Sequence, residues 1–123
     1  MVKNLFKKII RLFRPVELYP EALVAYFHRL PKRINVSWFR DEEFIIGTIK
    51  TDDGAEFMTQ GLTARDFVEM VNESIFVVYD IPEDYFAALG AKKFVPTREE
   101  FDRLNNAAIK KSTLQLEKLP MAA

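Results

Sequence analysis

The sequence predicts an α+β fold: a small, mostly antiparallel three- to four-stranded sheet with a main helix on one face and flanking N- and C-terminal helices. Three observations carry this expectation. Residues 33–60 hold two or three short stretches in which apolar side chains recur at every second position, the period of a half-buried strand. Thr51-Asp52-Asp53-Gly54 separates two of them as a hairpin turn, with glycine supplying the positive φ. A helical pattern then opens at Thr63, with Phe67, Val71, Ile75 and Val78 along one face. The expected division is a basic amphipathic helical extension over residues 1–31, a core domain over 32–113 and a loose tail over 114–123.

In chain order, residues 2–14 place Val2, Leu5, Phe6, Ile9, Ile10 and Phe13 at helical spacing, with Lys3, Lys7, Lys8, Arg11 and Arg14 opposite. Pro15 stops this helix, because proline disfavours helix in the residue before it. Pro20 and Glu21 suit the first turn of a second helix, in which Leu23, Tyr26, Phe27 and Leu30 keep the spacing until Pro31. Ile34, Val36 and Trp38 alternate with Arg33, Asn35 and Ser37 as the first strand, and Arg40-Asp41-Glu42 makes a turn. Phe44, Ile45, Ile46, Thr48 and Ile49 carry apolar groups on both faces, which predicts a central strand. Gly47 within it predicts a bulge or a close backbone approach. Ala55 to Gln60 is the third strand, ended by Gly61.

Thr63 is the expected N-cap of the main helix, with Asp66 three residues on in an approximate capping box. Val68 and Met70 widen its apolar face, Asp66, Glu69, Asn72 and Glu73 are assigned to solvent, and Pro82 ends it. Glu83 to Leu89 adds a helical turn stopped by Gly90, and Lys92 to Val95 reads as an edge strand. Thr97 and Glu100 form a second capping box for a helix carrying Phe101, Leu104 and Ala108, expected to reach about Thr113. The residues beyond it read as loose.

Composition narrows the function classes. With 123 residues, 49% of them apolar and 11 Phe, the chain can fill one real core. The absence of cysteine excludes disulfides, thiolate nucleophiles and Cys-held zinc or iron–sulfur sites, and is compatible with a reducing cytoplasm. Cytoplasmic is the expected localisation, with a peripheral membrane association as its variant. The single His28, set among aromatics, reads as a packed or surface residue and excludes a multi-histidine metal site within one chain. No apolar run approaches the roughly 18 residues of a membrane span. There is no phosphate-cradling glycine loop and no nucleophile elbow. Neither cofactor nor metal is expected.

The formal net charge is zero but unevenly spread. Residues 1–14 carry three Lys and two Arg with no acid, whereas residues 41–90 carry twelve Asp/Glu against Lys50 and Arg65, a net of −10. Such a division speaks to partners and not to fold. The basic helix has three readings: contact with an anionic membrane or larger assembly, gripping nucleic-acid phosphates, or packing against its own domain or a second copy. The acidic centre reads either as a plainly solvated face or as a surface for a basic partner.

The stretch Val36 to Pro96 resembles the N-terminal domain of HicB-family antitoxins, a truncated ribonuclease-H-like fold. The resemblance rests on the two-strand opening with its Asp41-Glu42 turn, on Thr59-Gln60-Gly61-Leu62-Thr63 leading into an acidic amphipathic helix, and on the Gly90 to Val95-Pro96 stretch. It implies a non-enzymatic protein-binding module that masks a small basic ribonuclease partner through acidic residues, here Asp41, Glu42, Glu43, Asp52, Asp53 and Glu56. The chain departs from the pattern in its extension 1–31 and in lacking a ribbon-helix-helix or helix-turn-helix segment, which argues against DNA binding. Two-metal hydrolysis on a ribonuclease-H-like fold needs clustered carboxylates, one of them in the first strand. The inward positions there are Ile34, Val36 and Trp38, so an enzyme is not expected. The alternative is a structural adaptor tethered to an anionic membrane or larger assembly by Lys3, Lys7, Lys8, Arg11 and Arg14. A homo-oligomer is also expected, with Arg33 to Arg40 as a candidate edge strand.

Overall fold

Strand β1 (Arg33–Asp41) buries Ile34, Val36 and Trp38 and exposes Arg33, Asn35, Ser37 and Phe39, so its period of two becomes one covered and one open face. The computed structural model of the chain describes residues 18–89 and 94–118. The basic stretch 2–14, Gly90 and the first half of the expected Lys92–Val95 strand lie outside them, as do the five tether candidates Lys3, Lys7, Lys8, Arg11 and Arg14.

Strand β2 (Phe44–Thr51) pairs antiparallel with β1, placing Trp38 opposite Gly47 and Val36 opposite Ile49. Strand β3 (Glu56–Gly61) pairs antiparallel with β2 and sets Thr59 opposite Gly47. Strand β4 (Lys111–Glu117) pairs antiparallel with the other side of β1, with Leu114 opposite Val36 and Leu116 opposite Ile34. The four-stranded sheet therefore runs β3-β2-β1-β4, with helices gathered on one face, and is of α+β class.

Helix α2 (Ala64–Val78) covers that face; helix α1 (Pro20–Arg29) precedes the sheet. The Thr63 hydroxyl accepts from the Asp66 N–H at 3.0 Å, and the Asp66 carboxylate accepts from the Leu62 N–H at 2.9 Å, so both exchanges sit at the α2 N-terminus. Phe67, Val71 and Ile75 are fully buried in one core with Val36, Trp38, Ile45 and Ile49. Gly47 answers to the close approach: a Cβ there would stand 2.5 Å from the Phe67 ring. Gly61 has the same role at the helix entry, where a Cβ would meet the Phe67 backbone nitrogen at 2.5 Å. A 3₁₀ turn (Glu83–Tyr85) and short helix α3 (Phe86–Leu89) follow, and Tyr85 meets Tyr26 of α1 edge-to-face at 4.8 Å. Helix α4 (Arg98–Asn105) carries the full Thr97/Glu100 capping box.

Six sequence expectations need correction. The last helix stops at Asn105 instead of reaching Thr113. Residues 111–117 then form β4, so the expected loose tail from 114 begins inside a strand whose Leu114 and Leu116 are buried. Their alternation with Thr113, Gln115 and Glu117 is a strand period that the helix formers around it concealed. Phe94 does not belong to an extended edge strand but makes an isolated bridge to Lys118. Arg33 to Arg40 is no edge strand either, because β2 and β4 flank it, and the sheet's edges are β3 and β4. On α2, Asn72 is only 4% exposed where solvent was expected, while Val78 is exposed. Finally, the extension 1–31 is not separate throughout: Phe27 and Leu30 belong to the main core.

Candidate functional site

The β1–β2 hairpin closes through two residues, Glu42 and Glu43. Glu42 has φ 55°, a left-handed conformation that two-residue hairpins normally give to Asn or Gly. A carboxylate is thus held where the backbone favours another residue. Asp41 sits opposite Phe44, and Asp41, Glu42 and Glu43 are all exposed with no ion pair to a described base.

The second acidic group lies at the other end of β2. Asp52 and Asp53 occupy the turn between β2 and β3, where Gly54 takes φ 94° and donates to the Thr51 carbonyl at 3.2 Å. Asp53 accepts from the Thr51 hydroxyl and from the Tyr79 hydroxyl, the latter at 2.5 Å. The Thr51 bond, followed by the Tyr79 bond, holds the Asp53 carboxyl below its ordinary range. Burial, and then the bond to Asp53, pushes the Tyr79 phenol up to about 12. Asp53 therefore ties this turn to the C-terminal end of α2. Glu56 opens β3 opposite Lys50. Eight strand residues separate the two groups by roughly 23 Å. The six acidic candidates form two sites and not one patch: Asp41, Glu42 and Glu43 at one end, Asp52, Asp53 and Glu56 at the other.

Between them lies the open face of the sheet. The register sets Asp41 beside Phe44, Phe39 beside Ile46, and Ile46 beside Gln60, all on the face away from α2. Phe39, Phe44 and Met58 are exposed, Met58 to 63%, and Ile46 is half-buried. An apolar strip thus runs up to the Asp41–Glu43 turn. Alternation alone gave the residues of this face, but not that no described helix covers it.

Three polar residues with long-range work were missed. Arg40, half-buried, donates from Nε to the Ile109 carbonyl at 2.7 Å and from one terminal nitrogen to the Leu104 and Asn106 carbonyls, and its guanidinium lies over the Trp38 ring. It thereby satisfies carbonyls freed at the end of α4. Asn72 donates to the Phe94 carbonyl at 2.9 Å and accepts from its N–H at 2.8 Å, closing on that residue as a strand neighbour would. Lys118 donates to the Phe27 and Leu30 carbonyls at the end of α1, and burial lowers its ammonium pKa. Apart from the Asn72 donation to the Val68 carbonyl one turn earlier and the Arg40 stacking on Trp38, their partners lie more than twenty positions away, so no local signal marks their long-range role.

His28 is exposed and stands edge-to-face with Phe27 at 5.6 Å. Among the described residues no three His, Asp or Glu side chains are placed to hold a metal ion. A groove of about 690 Å³ between α2 and α4 is lined by Arg65, Glu69, Phe94, Arg98, Phe101 and Asp102 among others, with no hydroxyl, thiol or amine side chain in it. Among the described residues no helix is long and apolar enough to cross a membrane. None of the protein-family models, curated proteins and solved structures compared with the chain matches it.

Proposed function

We propose that the chain is a non-enzymatic, cytoplasmic protein-binding module of HicB-antitoxin type that masks a small basic ribonuclease partner. The observation that supports this best is the open sheet face with its exposed Phe39, Phe44 and Met58, rimmed at one end by Asp41, Glu42 and Glu43. An apolar centre supplies contact area, and unpaired rim carboxylates steer and orient a basic partner. Of the two acidic groups, the Asp41–Glu43 turn is assigned to the partner, because Asp53 is already engaged by Thr51 and Tyr79.

The test is affinity capture from the native host with the full chain, followed by binding measurements on the recovered protein. Reversing Asp41, Glu42 and Glu43 together to Lys is expected to slow association on the order of tenfold or more at low salt and to leave far-ultraviolet circular dichroism unchanged. Reversing Asp52 and Glu56 is expected to do much less. Equal binding by the first variant removes the assignment. The alternative, an adaptor held on an anionic membrane by Lys3, Lys7, Lys8, Arg11 and Arg14, rests on sequence alone. Liposome co-sedimentation of the intact chain, lost on removing residues 1–14, would favour it over masking.

A further inference from the structure

Helix α2 has an outer side that no described element covers fully. Two shallow grooves run along it and share Met70, Glu73 and Phe86. One, of about 450 Å³, continues to Asp66, Glu69, Phe76 and Ala87. The other, of about 480 Å³, continues towards β3 with Met58, Val77 and Val78, and Val77 is 69% exposed. The surface therefore joins an apolar strip to the carboxylates of Asp66, Glu69 and Glu73, spaced three and four residues apart along one helix. Two described bases stand near this row: Arg65, which meets Glu69 at 3.6 Å as an exposed pair of small worth, and Arg98, which lines the α2–α4 groove together with Glu69.

We propose that residues 2–14 of the same chain dock as a helix along this outer side of α2, with their apolar stripe on Met70, Phe86 and Val77 and their bases beside Asp66, Glu69 and Glu73. Three observations select this occupant. Its composition is complementary: six apolar residues at helical spacing and five bases without an acid, against apolar grooves edged by carboxylates. Lys3, Lys7 and Arg11 recur every four residues, close to the spacing of the acids. The chain also enters the described structure at the right place. The Tyr19 N–H donates to the Tyr85 hydroxyl at 3.1 Å, and Tyr85 directly precedes Phe86, the residue that both grooves share. Lengths agree as well, since thirteen helical residues span roughly 20 Å and the fifteen residues of α2 roughly 22 Å. The docking surface lies on α2, across the sheet from Phe39 and Phe44, and meets the partner surface only at Met58 on the β3 edge; Met70 and Phe86 report on the one and the Asp41–Glu43 turn on the other, so either can fail without the other.

The absence of cysteine gives a clean test in the full chain. A nitroxide is placed at Asn4→Cys, outside the apolar stripe, and amide signals are followed by NMR. Glu69, Met70, Glu73 and Phe86 are expected to lose most of their intensity, while Asn35, Ser37 and Thr113 on the open face keep theirs. Mixing nitroxide-bearing chain with isotope-labelled, nitroxide-free chain should give no loss, because docking is within one molecule. The Glu69→Lys/Glu73→Lys variant should restore most of the intensity at Met70 and Phe86. Loss in the mixed sample, loss centred on the open face, no loss anywhere, or loss that survives the charge reversal would each overturn the proposal.

Discussion

At the scale of single residues, Arg40 does work that neither its strand nor its charge announces. Its guanidinium serves the Leu104, Asn106 and Ile109 carbonyls and covers the Trp38 ring, so one side chain fixes where α4 ends and β4 begins. Bonds from a charged donor contribute about 1.5–3 kcal/mol each at most, and those made here at a half-buried site share one donor group. Arg40→Met is therefore expected to lower the unfolding free energy by about 2–3 kcal/mol, read as a lower urea midpoint at unchanged slope. Arg40→Lys should recover only part, because an ammonium cannot reproduce the planar fork. A midpoint unchanged in Arg40→Met would remove the clamp from the account. The Asp53–Tyr79 pair makes a second prediction, in pH. The Asp53 carboxyl lies below its ordinary value, so its contribution is present above the ordinary carboxyl range and is lost as pH falls through the folded value. The Tyr79 phenol is raised from 10.0 to about 12, so its contribution is full below 10.0 and is lost as pH rises from there to about 12. Phenolate absorbance, taken as wild type minus Tyr79→Phe, should show one late-titrating tyrosine. Asp53→Asn should move that titration down, though not fully to 10.0, because burial is the larger cause. An identical titration in the Asn variant would mean that the hydroxyl does not see Asp53.

At the scale of elements, α4 is eight residues long, too short to persist on its own propensity, so its cap matters. The Thr97 hydroxyl accepts from the Glu100 N–H at 3.2 Å, Glu100 accepts from the Thr97 N–H at 2.9 Å, and the other Glu100 oxygen accepts from the Gln115 N–H of β4. Thr97→Ala is expected to cost about 1 kcal/mol, and Glu100→Ala more than that, since it also releases β4; equal losses in urea melts would deny the link between helix and strand. Which elements were legible from sequence follows from where their causes lie. The β1 and β2 periods, the Gly54 turn and the Thr63 and Thr97 caps are set by neighbours within four residues, and each stands where the spacing puts it. The Gly47 approach was legible as a constraint, but its partner Phe67 was not. Strand β4 was hidden because Leu, Gln and Glu favour helix as readily, and only pairing with Val36 and Ile34, about eighty positions earlier, makes it a strand. The acidic candidates read as one group because they are close in sequence; β2 folds between them and carries them to opposite ends.

At the scale of the whole molecule, the order β3-β2-β1-β4 makes the last described strand the neighbour of the first, so the sheet closes only when residues 111–117 arrive. Without β4, strand β1 becomes an edge with a row of unpaired N–H and C=O groups, and one flank of Ile34, Val36 and Trp38 loses its cover. Leu114 and Leu116 are each only 2% exposed. Truncating a buried leucine costs about 2–5 kcal/mol, so the pair together approaches the whole stability of an ordinary domain, about 5–15 kcal/mol. Lys118 adds to the dependence by holding the Phe27 and Leu30 carbonyls, which fastens α1 to the end of β4. A chain ending at Lys110 is therefore expected to lose its cooperative urea transition and to show Trp38 emission shifted to that of the solvated indole. A chain ending at Lys118 should keep both the transition and the buried-indole emission. If the shorter chain melts as cooperatively as the longer one, the core closes on three strands, and β4 is an addition to the fold instead of its completion.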